Sequence, residues 1–211
     1  MPALLLVRHG QASFGTEDYD VLSGTGHRQA AVARAALAAR GVRPGRVLCG
    51  SLRRQRDTAA AWPDAELVTD ARWDEYDSAD VLRAYAASLE APGVGGSRDF
   101  QRVLDEGLAG WIAGGAADEP WTAFRDRVAA ALDDALAGLG RGETGVVITS
   151  GGPIAACAVR ALGLPEPAFV AFNRVVVNAA VTKLVAGRGG LSLVAFNEHA
   201  HLEPDRLVTY R

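Results

Sequence analysis

The chain opens on four consecutive apolar residues, Leu4-Leu5-Leu6-Val7, that stop abruptly at Arg8-His9-Gly10. A short unbroken apolar run suits a strand buried on both faces, and such strands belong to parallel sheets covered by helices on each side. Open α/β sheets hold their ligands at the carboxyl ends of the strands, so the cation, imidazole and glycine fall where chemistry is expected. Imidazole can attack phosphorus and leave again, which makes His9 a candidate for covalent phosphoryl transfer if the ring is neutral. Arg8 disfavours protonation of the ring and offers a planar fork of donors to phosphate oxygens. Taken alone, Arg-His-Gly also fits an ordinary strand end with a solvated charge; the rest of the chain has to decide.

A second cluster follows the short apolar run Val47-Leu48-Cys49-Gly50 and reads Ser51-Leu52-Arg53-Arg54-Gln55-Arg56-Asp57-Thr58. Ser51 is placed to cap a helix whose free N–H groups favour an anion. A solvated basic turn accounts for Arg53 and Arg56 equally well. The third cluster, Arg72-Trp73-Asp74-Glu75-Tyr76-Asp77, follows a possible strand at Glu66-Leu67-Val68. A carboxyl crowded by other carboxylates is harder to ionise, so Glu75 is the candidate proton donor for a leaving oxygen. The alternative is a solvated acidic turn.

Together these elements resemble the histidine phosphatase superfamily, also called phosphoglycerate mutase-like, whose signature is Arg-His-Gly after the first strand. Leu22-Ser23-Gly24-Thr25-Gly26-His27-Arg28-Gln29-Ala30 is similar to the family's Leu-Thr-x-x-Gly-x-x-Gln-Ala. Ser51-Leu52-Arg53-Arg54 with Thr58-Ala59 is similar to its Ser-Pro-Leu-x-Arg-Ala-x-x-Thr-Ala, and Trp73-Asp74-Glu75 to its Leu-x-Glu. Phe196-Asn197-Glu198-His199-Ala200-His201-Leu202 resembles its closing Asn-x-x-x-His-Leu, so the match spans nearly the whole chain. The resemblance implies a phosphorylated nucleophile at His9, phosphate clamps at Arg8 and Arg54, a proton donor at Glu75, and no cofactor or metal.

One element departs. After Gly145-Val146-Val147-Ile148-Thr149 the family has His-Gly-Gly, whereas this chain has Ser150-Gly151-Gly152-Pro153. The Ser150 hydroxyl can donate a hydrogen bond but brings no positive charge, and losing one preorganised donor typically costs about two to three powers of ten in rate. Three readings follow: a slower or differently tuned phosphatase, an enzyme whose missing imidazole comes from another residue such as His199, or a silent phospho-ligand binder. Ser150 and Gly151 are candidate substrate-binding residues, as is Ser13 in the loop Gln11 to Tyr19.

Ser150 as a nucleophile with His201 as base is disfavoured, because the flanks lack a Gly-x-Ser-x-Gly elbow and the arginines would go unexplained. His199-Ala200-His201 supplies two imidazoles without a dedicated third ligand, so no metal site is expected. His201 reads as structural and His27 as a helix-surface residue.

With 211 residues and 49% apolar content, the chain suits one α/β domain over residues 1–211. A net charge of −3 gives no broad cationic field, so nucleic acid is not an expected partner. Cys49 and Cys157 lie in apolar stretches without metal spacing and read as core residues in a reducing compartment. The apolar segment Ala3 to Val7 is too short for a signal or a membrane span, so a cytoplasmic protein without a membrane partner is expected. Lys183 is the single lysine in an Arg- and Ala-rich chain, which suggests a GC-rich bacterial source. Oligomeric state has no sequence signal.

The coarse pattern predicts strands at 3–8, 46–50, 145–149, 175–185 and 191–197, and helices near 24–40, 52–62, 120–139 and 152–162. This alternation predicts a three-layer α/β/α fold with a mostly parallel sheet. The last two strands, joined by Gly187-Arg188-Gly189-Gly190, are expected to form an antiparallel hairpin at one edge. Between 79 and 119 the rhythm stops: helices around 79–90 and 98–113 flank Pro92-Gly93-Val94-Gly95-Gly96. This helical insertion is expected to lie over the active site and choose the leaving group. Alternatively Leu82, Tyr85, Leu89, Phe100, Leu104, Leu108 and Trp111 simply form the apolar face of a helical subdomain. The expected function is phosphoric-ester hydrolysis through phosphohistidine on a small phosphorylated metabolite or phosphoprotein. The alternative is a non-catalytic phospho-ligand-binding domain. A mutase is less expected, because the chain is shorter than cofactor-dependent mutases and lacks the second histidine.

Overall fold

A computed structural model describes residues 1–13, 20–88 and 96–210. Its centre is a six-stranded sheet in the order β3-β2-β4-β1-β5-β6, comprising β1 (Ala3–Arg8), β2 (Arg46–Cys49), β3 (Glu66–Thr69), β4 (Thr144–Thr149), β5 (Val181–Gly187) and β6 (Gly190–Glu198). The first four strands are parallel, and β5 and β6 are antiparallel to their neighbours. The apolar opening run therefore becomes one of the two central strands, with β4 on one side and β5 on the other.

Alternation along the strands divides the core in two. Leu4, Leu6 and Val147 face one cluster, which also takes Trp73, Tyr76, Trp111, Trp121, Phe124 and Phe169. Leu5, Val7, Val146 and Ile148 face the other, with Ala33 and Leu37 of helix α1 (Gly24–Ala39) and Ala59 of α2 (Arg53–Ala59). The larger face is covered by α3 (Ser78–Ser88), α4 (Gly96–Ile112), α5 (Trp121–Ala137), α6 (Gly151–Leu162) and α7 (Ala168–Val175). The expected α/β/α layering and antiparallel closing hairpin are both present.

One segment differs in kind from expectation. The β-branched run Val175-Val176-Val177 reads as a strand beginning at 175, yet α7 occupies Ala168–Val175 and β5 begins only at Val181. Pro167 precedes the helix, where its fixed φ is preorganised for the first turn. Residues 176–180 instead wrap the carboxyl end of β1: Ala179 N–H donates to Arg8 O at 3.0 Å, and Asn178 Nδ2 donates to His9 O at 3.2 Å. Ala179 sits at φ 58° in this turn. Tertiary bonds to the β1 terminus override the local strand preference.

The parallel arrangement brings the carboxyl ends of β1, β2, β3 and β4 to one rim of the sheet. Arg8 pairs with Thr149, and Cys49 with both Ile148 and Thr69. The residues after each strand, His9, Gly50, Asp70 and Ser150, thus gather there.

Candidate active site

His9 is 4% exposed and held by backbone at both ends of the residue. Its N–H donates to Thr149 O at 2.8 Å, while the next amide, Gly10 N–H, donates to Thr58 Oγ1 at 3.0 Å. Gly10 is required because helix α1 comes so close: a Cβ here would stand 2.4 Å from Gly26 O. The ring Nδ1 lies 2.7 Å from Gly10 O. A carbonyl oxygen only accepts, so Nδ1 carries the proton of the neutral ring and Nε2 keeps its lone pair. Arg54 Nε donates to that Nε2 at 3.2 Å. Burial first, then the Arg8 and Arg54 charges, hold the imidazole well below the ordinary histidine value of 6.5.

The arginine-rich helix is anchored differently from the sequence expectation. Ser51 does not cap α2; its hydroxyl and N–H both donate to the Asp74 carboxylate. The carboxylate at the head of α2 is Asp20, which accepts Arg53 N–H at 2.7 Å and pairs with Arg54 Nη1 at 2.7 Å. Arg54 thereby stands between Asp20 and His9. Thr58, one turn along, accepts Gly10 N–H and donates to Arg54 O, tying the helix to the β1 terminus.

Glu75 follows a 3-10 turn (Ala71–Trp73) whose two carbonyls at Arg72 and Asp74 accept Arg127 Nη1 from α5 at 2.9 and 2.8 Å. The same guanidinium grips Glu119 with its other two nitrogens and lies 4.8 Å above the Phe124 ring. The Glu75 carboxylate accepts Gly152 N–H at 3.0 Å, at the amino end of α6. Its proton affinity is raised above the ordinary carboxyl value of 4.5 by burial, against the opposing pull of that N–H and of Arg54 and Arg8. Neighbouring carboxylates are not the cause: Asp74 holds the 51–52 loop, and Asp77 accepts Ala79 and Asp80 N–H at the head of α3.

At the end of β4, Ser150 is fully buried, and its Oγ accepts Gln55 Nε2 at 2.9 Å. Gly151 is tightly surrounded: a Cβ would stand 3.1 Å from Asn173 Oδ1, 3.8 Å from Glu75 Oε2 and 3.9 Å from Arg8 Nε. Arg8 Nη1 donates to Val176 O, and at 3.2 Å to Tyr210 O in the C-terminal segment. Arg8, His9, Arg54, Glu75, Ser150 and Gly151 are therefore one cluster.

His199 is elsewhere engaged, with Nδ1 2.6 Å from Asn197 O, and His201 Nε2 lies 3.1 Å from Ala179 O. The side chain bonded to Ser150 is Gln55 and not an imidazole. Ser13 N–H donates to Val21 O at 2.7 Å, closing the base of its loop; Phe14 to Tyr19 lie outside the described residues. Among the described residues no group of three or more His, Cys, Asp or Glu could hold a metal ion, and no helix is long and apolar enough to cross a membrane. Cys49 and Cys157 are buried and unbridged.

The model of the histidine phosphatase superfamily, branch 1, matches residues 4–199. The chain belongs to this superfamily. Among solved structures, a mycobacterial hydrolase aligns at 23% identity over 94% of this chain and 99% of its own, with a TM-score of 0.69. Mycobacterial glucosyl-3-phosphoglycerate phosphatase aligns at 23% identity over the same shares, with a TM-score of 0.67. Phosphoserine phosphatase from Entamoeba histolytica, solved as a mutant with phosphoserine, aligns at 17% identity over 96% of this chain and 100% of its own, with a TM-score of 0.63. No curated protein matches the chain by sequence.

Three members of the cluster escaped the sequence reading. Asp20 gives no signal, because its partner Arg54 is distant in sequence. Asn173 lies on α7, a helix the sequence pattern did not predict; its Nδ2 donates to Tyr76 OH at 3.0 Å while its Oδ1 faces Gly151. Gln55 stands where the superfamily pattern quoted above has alanine, and that departure is its signal in the sequence.

Proposed function

We propose that this histidine phosphatase superfamily member hydrolyses phosphoric esters through a covalent intermediate on His9 Nε2. The observation that carries the reading is the state of that ring: buried, disfavoured from protonation, with Nδ1–H committed to Gly10 O and Nε2 facing Arg54. Those are the properties a nitrogen nucleophile needs.

In the first half-reaction the Nε2 lone pair attacks phosphorus and the bond from phosphorus to the ester oxygen breaks. Arg54 and Arg8 take the phosphoryl oxygens, and the Glu75 carboxyl gives its proton to the departing alcohol oxygen. Burial, which raises the proton affinity of Glu75, fits it to arrive protonated. In the second half-reaction water attacks phosphorus, the P–N bond breaks, and Glu75 takes back a proton from the water. Phosphate leaves and the imidazole is restored neutral. No metal or cofactor is required by this scheme. Ser150 and Gly151 line the phosphoryl site, and Ser13 is assigned a substrate-binding role.

The substrate class is a small phosphorylated metabolite or a phosphoprotein, with α3 and α4 at residues 79–119 selecting the leaving group. Arg174 on α7 pairs with Asp105 on α4, linking that helical segment to the helix bearing Asn173. The opposing reading, a phospho-ligand binder without turnover, draws on one observation: the residue at the end of β4 is a neutral serine.

The test is release of 4-nitrophenol from 4-nitrophenyl phosphate in the presence of EDTA, with His9→Ala alongside. Turnover by the parent protein and its loss in His9→Ala is the expected result. Equal rates in both proteins would remove the phosphohistidine mechanism, and no release across a panel of phosphate esters would leave the binder.

A further inference from the structure

Ser150 and Gln55 lie 95 residues apart in sequence, yet they form one buried unit. The orientation of the Gln55 amide is set by backbone on two sides: Oε1 accepts Leu52 N–H at 3.2 Å, and Nε2 donates to Trp73 O at 3.1 Å. The atom at Ser150 is therefore the amide nitrogen, which only donates. Ser150 Oγ is thereby the acceptor, and its own proton remains to be donated. Among the described residues no acceptor for that proton is present. The hydroxyl follows the end of the strand beside the nucleophile: β1 and β4 run parallel with Arg8 opposite Thr149, His9 N–H donates to Thr149 O at 2.8 Å, and Ser150 is the next residue.

Space is reserved for this pair. A Cβ at Gly50 would fall 2.0 Å from Gln55 Oε1, so the absence of a side chain at 50 is what admits the glutamine. The superfamily pattern has alanine at position 55 and histidine at position 150. A small residue facing a large one is replaced here by a large residue facing a small one, close to a volume-conserving exchange.

We propose, resting on the phosphatase reading, that Gln55 is a positioning residue. It fixes and polarises the Ser150 hydroxyl as a neutral donor to a phosphoryl oxygen, in the place an imidazole would otherwise take. The chain of bonds from Gln55 Nε2 to Ser150 Oγ to phosphoryl oxygen strengthens the outer bond cooperatively. Because neither group titrates, this donor stays constant across the working pH range, and Arg8 and Arg54 supply positive charge to the phosphoryl oxygens. The exchange also makes single reversion unfavourable: a histidine at 150 would have to enter volume that the Gln55 side chain occupies.

The experiment is steady-state hydrolysis of 4-nitrophenyl phosphate by wild type, Ser150→Ala, Ser150→Thr, Gln55→Met, Ser150→His and the double variant Gln55→Ala/Ser150→His, each with its melting temperature. Ser150→Ala should lower kcat about a hundredfold, the scale of one lost oxyanion donor, while Ser150→Thr retains most of it. Gln55→Met keeps the volume but loses the donor, and should lower kcat about tenfold with KM little changed, at the low end of what supporting residues contribute. The double variant should exceed Ser150→His in both kcat and melting temperature, and should acquire a new ionisation in its pH profile.

Unchanged kcat in Gln55→Met, in a protein whose turnover His9→Ala abolishes, would overturn the assignment and leave the phosphatase reading standing. If the parent protein turns nothing over, calorimetric binding of orthovanadate decides instead. Affinity weakened in Ser150→Ala and in Gln55→Met sustains the donor pair without catalysis, and affinity unchanged in either, or absent in the parent protein, overturns it.

Discussion

The roles at His9 and Glu75 rest on opposite effects of the same burial. Burial disfavours the charged form of each, lowering the pKa of the imidazole and raising that of the carboxyl. Turnover then needs neutral His9 and protonated Glu75, so kcat/KM should fall on the acid side as His9 protonates, with that limb lying below 6.5, the ordinary histidine value. It should fall on the alkaline side as Glu75 ionises, with that limb lying above 4.5. A pH–rate profile that stayed level through both limbs would remove these assignments. Glu75→Gln separates the acid from the fold by a different route. It should lower turnover of alkyl phosphates by about two to four powers of ten, while sparing an activated aryl ester whose leaving group departs without a proton. Equal losses for both esters would show that Glu75 does not protonate the leaving oxygen.

At the scale of elements, the site depends on how closely α6 and the turn before Glu75 meet. A Cβ on Gly152 would lie 2.1 Å from Glu75 Oε1 and 2.8 Å from the Tyr76 ring. Gly152→Ala should therefore destabilise the fold by about 1–3 kcal/mol, as overpacking does, and displace the acid. Denaturant unfolding and turnover of an alkyl ester check the two effects separately. Arg127 acts on the same turn from α5, since it holds the carbonyls of Arg72 and Asp74. Arg127→Met should reduce alkyl-ester turnover more than aryl-ester turnover, because what it disturbs is the placing of Glu75.

The strand ends and the Arg-His-Gly, Arg54 and Glu75 clusters were legible because apolar runs and local motifs are short-range signals. Asn173 and Asp20 were not, because each is brought to the site by a contact spanning the fold. The strand expected from 175 failed for the same reason: what shapes 176–180 is bonding to Arg8 and His9, which no local window contains.

Across the whole molecule, the buried carboxyl makes stability depend on pH. The folded state holds the Glu75 proton more tightly than the unfolded chain, so this contribution is complete below the unfolded value and is lost as pH rises through the folded one. His9 acts at the other end: its folded pKa is lowered, so its contribution is present above the ordinary histidine value and lost as pH falls below it. The melting temperature of Glu75→Gln relative to wild type should accordingly climb between pH 4 and pH 8, and a constant difference would mean that Glu75 is not buried as described.

The order of the sheet has a last consequence, for synthesis. β1 is synthesised well before both of its neighbours, β4 from Thr144 and β5 from Val181. Its Leu-Leu-Leu-Val run must wait for its native strand partners until synthesis has passed Thr144. Even the Arg8 guanidinium finds one of its carbonyl partners only at Tyr210. Nascent chains halted before Thr144 should be sticky and dependent on chaperones, since an exposed apolar strand edge invites pairing with other chains. The nucleophile is made before the strands that flank it and becomes usable only after them.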